Sequence, residues 1–164
     1  MIGTPKIDER RELPYAGIRV QVPHTQFPTI IPQLIDEIYA WLGQHGVEGK
    51  GPLMRYYVIN MSGTMDVELG VEVDSPITGD DRVKAQALPA GRYAWLIYTG
   101  IGEKAVQGNG ALINWAEENG IKWDRWDDPK GDAFRSRVEF FLDGPQDDPN
   151  PDNWRSEVAV KVAD

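Results

Sequence analysis

The sequence contains no cysteine and only two histidines among its 164 residues. Without cysteine the chain can form no disulfide bond, no thiolate zinc site and no cysteine nucleophile. His24 and His45 have no second metal ligand at helical or hairpin spacing. We therefore predict neither a metal site nor a serine–histidine triad.

Basic residues are in the minority, because 17 lysines and arginines stand against 26 acidic residues, giving a net charge of -9. Binding to nucleic acid depends on basic side chains that displace counterions from phosphates, so we expect no nucleic-acid partner. The most apolar stretches, such as YAWLIY, fall far short of the roughly 20 residues that span a bilayer. The first residues also lack the apolar core of a signal peptide. These features predict a soluble, cytoplasmic protein with no membrane partner.

Two segments resemble known ligand-binding loops but depart from them at decisive positions. Gly100 to Ala105 fits the G-x-G-x-x-A dinucleotide pattern, but the strand before it alternates apolar and polar residues and no second parallel unit follows. Asp148 to Asn153 resembles the start of a calcium loop, but Asn153 stands where that loop needs glycine. We predict turn glycines at the first segment and a plain loop at the second. No cofactor is predicted.

The chain contains an internal repeat. Tyr15 to Val22 and Tyr93 to Thr99 both alternate like half-buried strands, and a segment with helical periodicity follows each of them. We predict that Thr29 caps the first helix and that the second runs from Glu103 to Asn119, with Gly120 ending it in the left-handed conformation.

Each predicted helix leads to two further predicted strands. These four strands are Leu53 to Asn60, Met65 to Val73, Phe134 to Leu142 and Ser156 to Val162. The order strand, helix, strand, strand therefore occurs twice, which predicts an α+β protein built from two modules at about residues 15–75 and 82–164. Arg82 to Leu88 is a further predicted strand that leads into the second module.

Strand alternation selects the candidate groove residues. Along Phe134 to Leu142 it places Glu139 on a polar face, and we expect Val138 and Phe140 to face the helix. If the polar faces of the two modules lie side by side, a groove forms between them. The residues that we expect to line it are Trp95, Glu139, Phe141 and one of the Tyr56/Tyr57 pair.

Glu139 allows two interpretations. It can form a cross-strand ion pair with an arginine such as Arg137 or Arg55 on a solvated face. If the face is instead enclosed, a carboxylate surrounded by aromatic rings would attract a lipophilic cation or act as a general acid or base. Glu68 and Glu157 are either further groove carboxylates or solvent-facing strand residues.

Several parts of the sequence resemble the GyrI-like small-molecule-binding domain, which is also the effector domain of AraC- and MerR-type multidrug regulators. These parts are LPAGRYAWLIYTGIGEKAVQGNGALINWAEENGIK, RVEFFLDGP and WRSEVAVKVAD, and the resemblance covers the chain from Tyr15 onward. Its most specific motifs are Pro89 to Tyr93 and the Glu-x-aromatic pattern of Glu139 to Phe141. Only about 14 residues precede the first predicted strand, so the chain resembles a stand-alone member.

The resemblance implies a single domain over residues 1–164, in which two fused strand-helix-strand-strand modules in pseudo-twofold arrangement surround a central cleft for aromatic, often cationic, amphipathic compounds. The family's pocket carboxylate corresponds to Glu139. Trp126 and Trp154, in or beside polar loops, either pack at sheet edges or belong to the pocket rim. The residues that we expect to bind ligand are Glu139, Phe141, Trp95, Tyr57, Tyr56, Arg137, Glu68, Trp126 and Trp154.

Three functions follow from this expectation. The first is multidrug binding of aromatic, lipophilic small molecules. The second is hydrolysis of cyclopropane-containing DNA-alkylating toxins in the same pocket, with Glu139 as the catalytic residue, as some stand-alone relatives resemble toxin-protective hydrolases. The third is an acidic module that inhibits a macromolecular target. The sequence does not decide whether two chains form a homodimer.

Overall fold

The computed structural model describes residues 1–164 and contains ten strands and two long helices. The helices are α1 (Phe27–Gln44) and α2 (Glu103–Glu118). The strands are β1 (Lys6–Arg10), β2 (Leu13–Val22), β3 (Pro52–Ile59), β4 (Met65–Glu72), β5 (Lys84–Leu88), β6 (Gly91–Thr99), β7 (Arg125–Asp128), β8 (Gly131–Phe134), β9 (Arg137–Phe141) and β10 (Arg155–Lys161). Two short 3-10 helices cover His24–Gln26 and Pro151–Asn153.

All ten strands belong to one antiparallel sheet. Its main path runs β1-β6-β10-β9-β3-β4-β2-β5, and β8 joins β3 to β7 beside that path. The two central strands, β9 and β3, come from the second and first halves of the chain and pair directly, with Glu139 opposite Met54. The predicted α+β class is confirmed.

Helix α1 covers the half of the sheet that contains β2 and β4. Its buried residues Leu34, Ile38 and Trp41 recur at helical spacing and pack in one cluster with Val67 and other residues of the sheet. The predicted cap at Thr29 is wrong. The 3-10 turn just before the helix leads directly into it, so the residue at the cap position is Gln26 and α1 begins at Phe27.

Helix α2 covers the other half of the sheet and agrees with its predicted range to within one residue. Leu112 packs in one cluster with Leu96 of β6 and Val158 of β10, and Ala116 is also buried. Gly120 follows the helix with a φ of 67°, which confirms its predicted left-handed conformation.

The two faces of the sheet have different coverings. We call the side under α1 and α2 the helix face and the other side the inner face. On the inner face, Leu88 of β5 and Tyr93 of β6 pack in one cluster with Val138 of the central strand β9, and this cluster contains no helix residue. Since β5 and β6 lie near opposite ends of the strand order, the sheet is curled around this inner cluster.

Three features of the strands differ from the prediction. The predicted strand from Phe134 to Leu142 is interrupted by Arg135 and Ser136, so it consists of the end of β8 and the whole of β9. The β7–β8 hairpin and the N-terminal strand β1 were not predicted. The sequences of β1 and β7, KIDER and RWDD, carry charges at consecutive positions and do not alternate like half-buried strands, and each strand is extended by pairing with a neighbouring strand.

Neither α1 nor α2 combines the length and the apolar character that a helix needs to cross a membrane.

Candidate ligand-binding site

Glu139 lies in the middle of β9 and is only 5% exposed. Its carboxylate accepts three hydrogen bonds, from Asn109 Nδ2 at 2.7 Å, Tyr98 OH at 3.2 Å and Tyr56 OH at 3.1 Å. None of the ion pairs in the structure includes Glu139. The result is a buried carboxylate whose hydrogen-bond partners are all neutral.

The partners on the α2 side are positioned by a close approach between helix and sheet. Gly108 of α2 lies so near Tyr98 that a Cβ built on it would be 2.6 Å from Tyr98 Cδ1. Asn109, the next residue, directs its amide into the space between α2 and the sheet, where Nδ2 also donates to the Ala105 carbonyl oxygen at 2.8 Å. The absence of a side chain at Gly108 therefore lets Tyr98 and Asn109 reach the same carboxylate.

The α1 side of the site is aromatic. Tyr56 of β3 forms an edge-to-face pair with Phe27, the first residue of α1, at a centroid distance of 6.5 Å. Phe141 of β9 is half-buried and packs against the cluster under α1. Glu139 thus lies on the helix face between α1 and α2, over the two central strands.

Arg137 lies two residues before Glu139 and shares its face. Its side chain is 9% exposed, and Nη2 donates to Asn109 Oδ1 at 2.9 Å. The guanidinium also lies 4.8 Å from the ring centroid of Phe134. Burial lowers the pKa of Arg137 below its usual value. The Asn109 amide therefore bridges a buried carboxylate and a buried guanidinium.

The two tyrosines of this network are weak acids. Burial, followed by the nearby charge of Glu139, raises the pKa of both Tyr56 and Tyr98 above the usual tyrosine value. Both phenols thus remain protonated at neutral pH and act as hydrogen-bond donors to the carboxylate.

Glu68 forms a second buried network, on the inner face. The residue is 0% exposed and accepts hydrogen bonds from Tyr15, from Tyr57 at 2.7 Å and from Gln86 at 3.1 Å. The backbone of Gly17 approaches its carboxylate so closely that a Cβ there would be 2.7 Å from Oε2. Glu68 is thus neither a solvent-facing residue nor a neighbour of Glu139, because the sheet separates the two carboxylates.

Trp95 also lies on the inner face, where its Nε1 donates to Asp8 at 3.0 Å and the charged ends of Lys6 and Arg10 lie over its ring. The prediction that Trp95 and Glu139 line one groove is therefore wrong. Its error was the assignment of faces along β9.

Val138 and Phe140 do not face the helices. Val138 belongs to the inner cluster and Phe140 packs against it, whereas Glu139 lies on the helix face. Alternation determines which residues share a face, but it does not say which face the helix covers, and the polar residues were assigned to the uncovered one. The buried polar network under α2 shows that the polar residues of β9 lie on the face that the helices cover. Phe141 and one of the predicted tyrosine pair, Tyr56, do lie on the same face as Glu139.

The two tryptophans expected in or beside polar loops, Trp126 and Trp154, have other contacts. Trp126 is on β7, is 43% exposed and has the guanidinium of Arg135 at 5.0 Å from its ring. The indole of Trp154 donates to the Asp148 carbonyl oxygen at 2.8 Å. Neither forms a hydrogen bond with the residues around Glu139.

Three site residues were not selected from the sequence: Asn109, Tyr98 and Phe27. Asn109 had a usable signal, since it stands on the buried stripe of α2 at helical spacing from Leu112 and Ala116. A polar residue on an apolar stripe needs a buried partner.

The comparisons with known proteins give the family. The family model described as the GyrI-like small molecule binding domain matches residues 3–163. This chain belongs to the GyrI-like family. No curated protein matches the chain.

Solved structures share the fold of this GyrI-like domain at low sequence identity. The C-terminal domain of EcmrR has a TM-score of 0.79 at 20% identity, with 99% of each chain covered. In the EcmrR–DNA complex the TM-score is 0.77 at 19% identity, and the match covers 97% of this chain but only 57% of that one. SAV2435 bound to tetraphenylphosphonium has a TM-score of 0.64 at 12% identity, covering 98% of this chain and 94% of that one. A protein described as a hydrolase from Listeria innocua has a TM-score of 0.65 at 14% identity, covering 97% and 91%.

Proposed function

We propose that this GyrI-like domain binds aromatic, lipophilic small molecules, often cationic, between α1 and α2. Glu139 is the charged centre of this site, and Tyr56 and Phe141 are its aromatic surface. The observation that carries the proposal is a carboxylate only 5% exposed whose direct hydrogen-bond partners are all neutral.

The physical reason is the cost of burying charge. An ionised carboxylate loses its hydration on burial, and neutral donors recover only part of that loss. A lipophilic aromatic cation is weakly hydrated and can approach such a group, while its rings stack on neighbouring aromatic side chains. The half-buried rings of Tyr56, Phe27 and Phe141 provide that surface.

The family adds independent support. The matched model is described as a small-molecule-binding domain, and SAV2435, with a similar fold, was solved with the lipophilic cation tetraphenylphosphonium.

We also propose that the fold consists of two fused strand-helix-strand-strand modules related by a pseudo-twofold axis between β3 and β9. The sheet path supports this, because β3, β4 and β2 follow one another on one side of the centre and β9, β10 and β6 on the other. Each half contributes one helix. The axis would place Glu68 of β4 and Glu157 of β10 at related positions.

Hydrolysis is the second candidate, favoured by the shared fold with the Listeria protein described as a hydrolase. A general base needs a free position for water on its carboxylate. Oε1 of Glu139 accepts hydrogen bonds from Asn109 and Tyr98, but Oε2 accepts only from Tyr56, so one lone-pair position on Oε2 is left for water. Binding is ranked first because the matched family model is described as a small-molecule-binding domain.

The test is a fluorescence titration with rhodamine 6G at neutral pH. We expect saturable binding with a dissociation constant near 1 μM, which corresponds to about 8 kcal/mol. Glu139→Gln should weaken binding by about tenfold, because the amide keeps the shape and loses the charge. Glu157→Gln is the matched control, since Glu157 lies on the inner face in an ion pair with Arg10.

If both substitutions weakened dye binding equally, the dye would bind away from Glu139, or the loss of affinity would reflect only the change in net charge of the protein. Absence of binding to the wild type would contradict the proposal. Release of a product from a cyclopropane-containing electrophile, lost in Glu139→Gln, would instead favour the hydrolase.

A further inference from the structure

Arg137 is a buried cation with little local compensation. It takes part in none of the ion pairs of the structure, and of its three side-chain nitrogens only Nη2 has a hydrogen-bond partner, the Asn109 side chain. Its Nε is fully buried and has no partner. Buried polar groups in folded proteins are almost always hydrogen-bonded, so this free donor calls for an explanation.

The comparison with Arg55 makes the difference clear. Arg55 is equally buried, on the inner face, and its Nε also has no partner. Its Nη1 and Nη2, however, donate to Tyr15 OH and to the carbonyl oxygens of Ala87 and Arg135. Three hydrogen bonds anchor that guanidinium to the fold. Arg137 has one, and it goes to a side chain that also binds Glu139.

The carboxylate of Glu139 and the guanidinium of Arg137 are therefore connected through Asn109 and do not contact each other directly. Asn109 donates to Glu139 through Nδ2 and accepts from Arg137 through Oδ1, so one amide separates the carboxylate from the guanidinium. A ligand between α1 and α2 meets a negative group and, beside it, a positive group with unused donors. Such an arrangement matches a molecule that carries both kinds of group.

We propose that Arg137 is a specificity-determining residue, and that it makes the site select aromatic ligands with an anionic or hydrogen-bond-accepting group beside the cationic centre. This proposal rests on the proposed function. In the complex, Glu139 faces the cationic part of the ligand, and Nη1 of Arg137, which has no hydrogen-bond partner and is not fully buried, faces its acceptor.

The experiment compares rhodamine 6G with its free acid. The two dyes share the aromatic cation and differ in one group, which is an ethyl ester in the first and a carboxylate in the second. Isothermal titration calorimetry measures both dissociation constants with the wild type, Arg137→Gln, Arg137→Lys and the control Glu157→Gln. Circular dichroism and melting curves establish that each variant is folded.

We expect the wild type to bind the free acid more tightly than the ester. Arg137→Gln should weaken binding of the free acid by about tenfold and leave ester binding unchanged or tighter, because a like charge near the cation is removed. Arg137→Lys should keep part of the preference, since it retains the charge but not the guanidinium donors.

Two results would overturn the proposal while the proposed function stands. One is a wild type that prefers the ester, which needs no variant to fold. The other is an Arg137→Gln protein in which both dyes lose affinity equally, as a purely structural arginine would produce. If neither dye binds the wild type, the proposed function itself fails.

Discussion

At the scale of single residues, the tyrosines around Glu139 contribute to the response of the protein to alkaline pH. Their burial and the neighbouring carboxylate raise the pKa of Tyr56 and Tyr98 above the usual value of about 10. Burial also raises the pKa of Tyr15, Tyr39, Tyr57 and Tyr93. Between the unfolded and the folded pKa, the unfolded chain has released these protons and the folded chain still holds them. The free energy of unfolding therefore falls as the pH rises above about 10.

Urea unfolding at a series of alkaline pH values, with tyrosinate absorbance followed in parallel, measures this dependence. Tyr56→Phe should show a shallower decline than the wild type, because one raised pKa is removed. An unchanged slope in that variant would mean that Tyr56 ionises normally in the folded protein.

At the scale of elements, the contact between α2 and β6 is adjusted at one glycine. Gly108→Ala would place a methyl group 2.6 Å from Tyr98 Cδ1, so helix and strand must separate. We expect lower stability and weaker rhodamine 6G binding, because Tyr98 and Asn109 shift away from Glu139.

Gly110→Ala in the same helix is the control, since a Cβ at this position would have no atom within 4 Å. It should stabilise the protein by up to about 1 kcal/mol through helix propensity alone and leave binding unchanged. Denaturant unfolding and dye titration of the pair measure both effects. Equal behaviour of the two variants would contradict the close-packing argument.

At the scale of the whole molecule, the curled sheet separates two sets of aromatic and charged residues. Glu139 and Tyr56 lie on the helix face, whereas Trp95, Tyr57 and Glu68 lie on the inner face. Trp95→Phe should therefore leave rhodamine 6G affinity within about twofold of the wild type, because Phe keeps the ring packing and Trp95 lies on the opposite face of the sheet from Glu139. Phe141→Leu should weaken binding by several-fold, since it removes a ring from the site.

The same titration checks both variants. A loss of affinity in Trp95→Phe as large as that in Phe141→Leu would place the dye on the inner face and would require the site to be assigned there.

Local patterns in the sequence determined the α+β class, the two helices and most of the strands. They also selected Glu139 as a candidate and left Tyr56 and Tyr57 as an undecided pair. These features depend on periodicity and on residue types that act close to their own position, such as Gly120 at the end of α2. Only the tertiary structure decided which face of β9 the helices cover, because alternation is the same whichever side is covered. For the same reason Trp95 was grouped with Glu139, and Asn109 and Arg137, which belong to one network only through α2 packing, became visible together only in the folded chain.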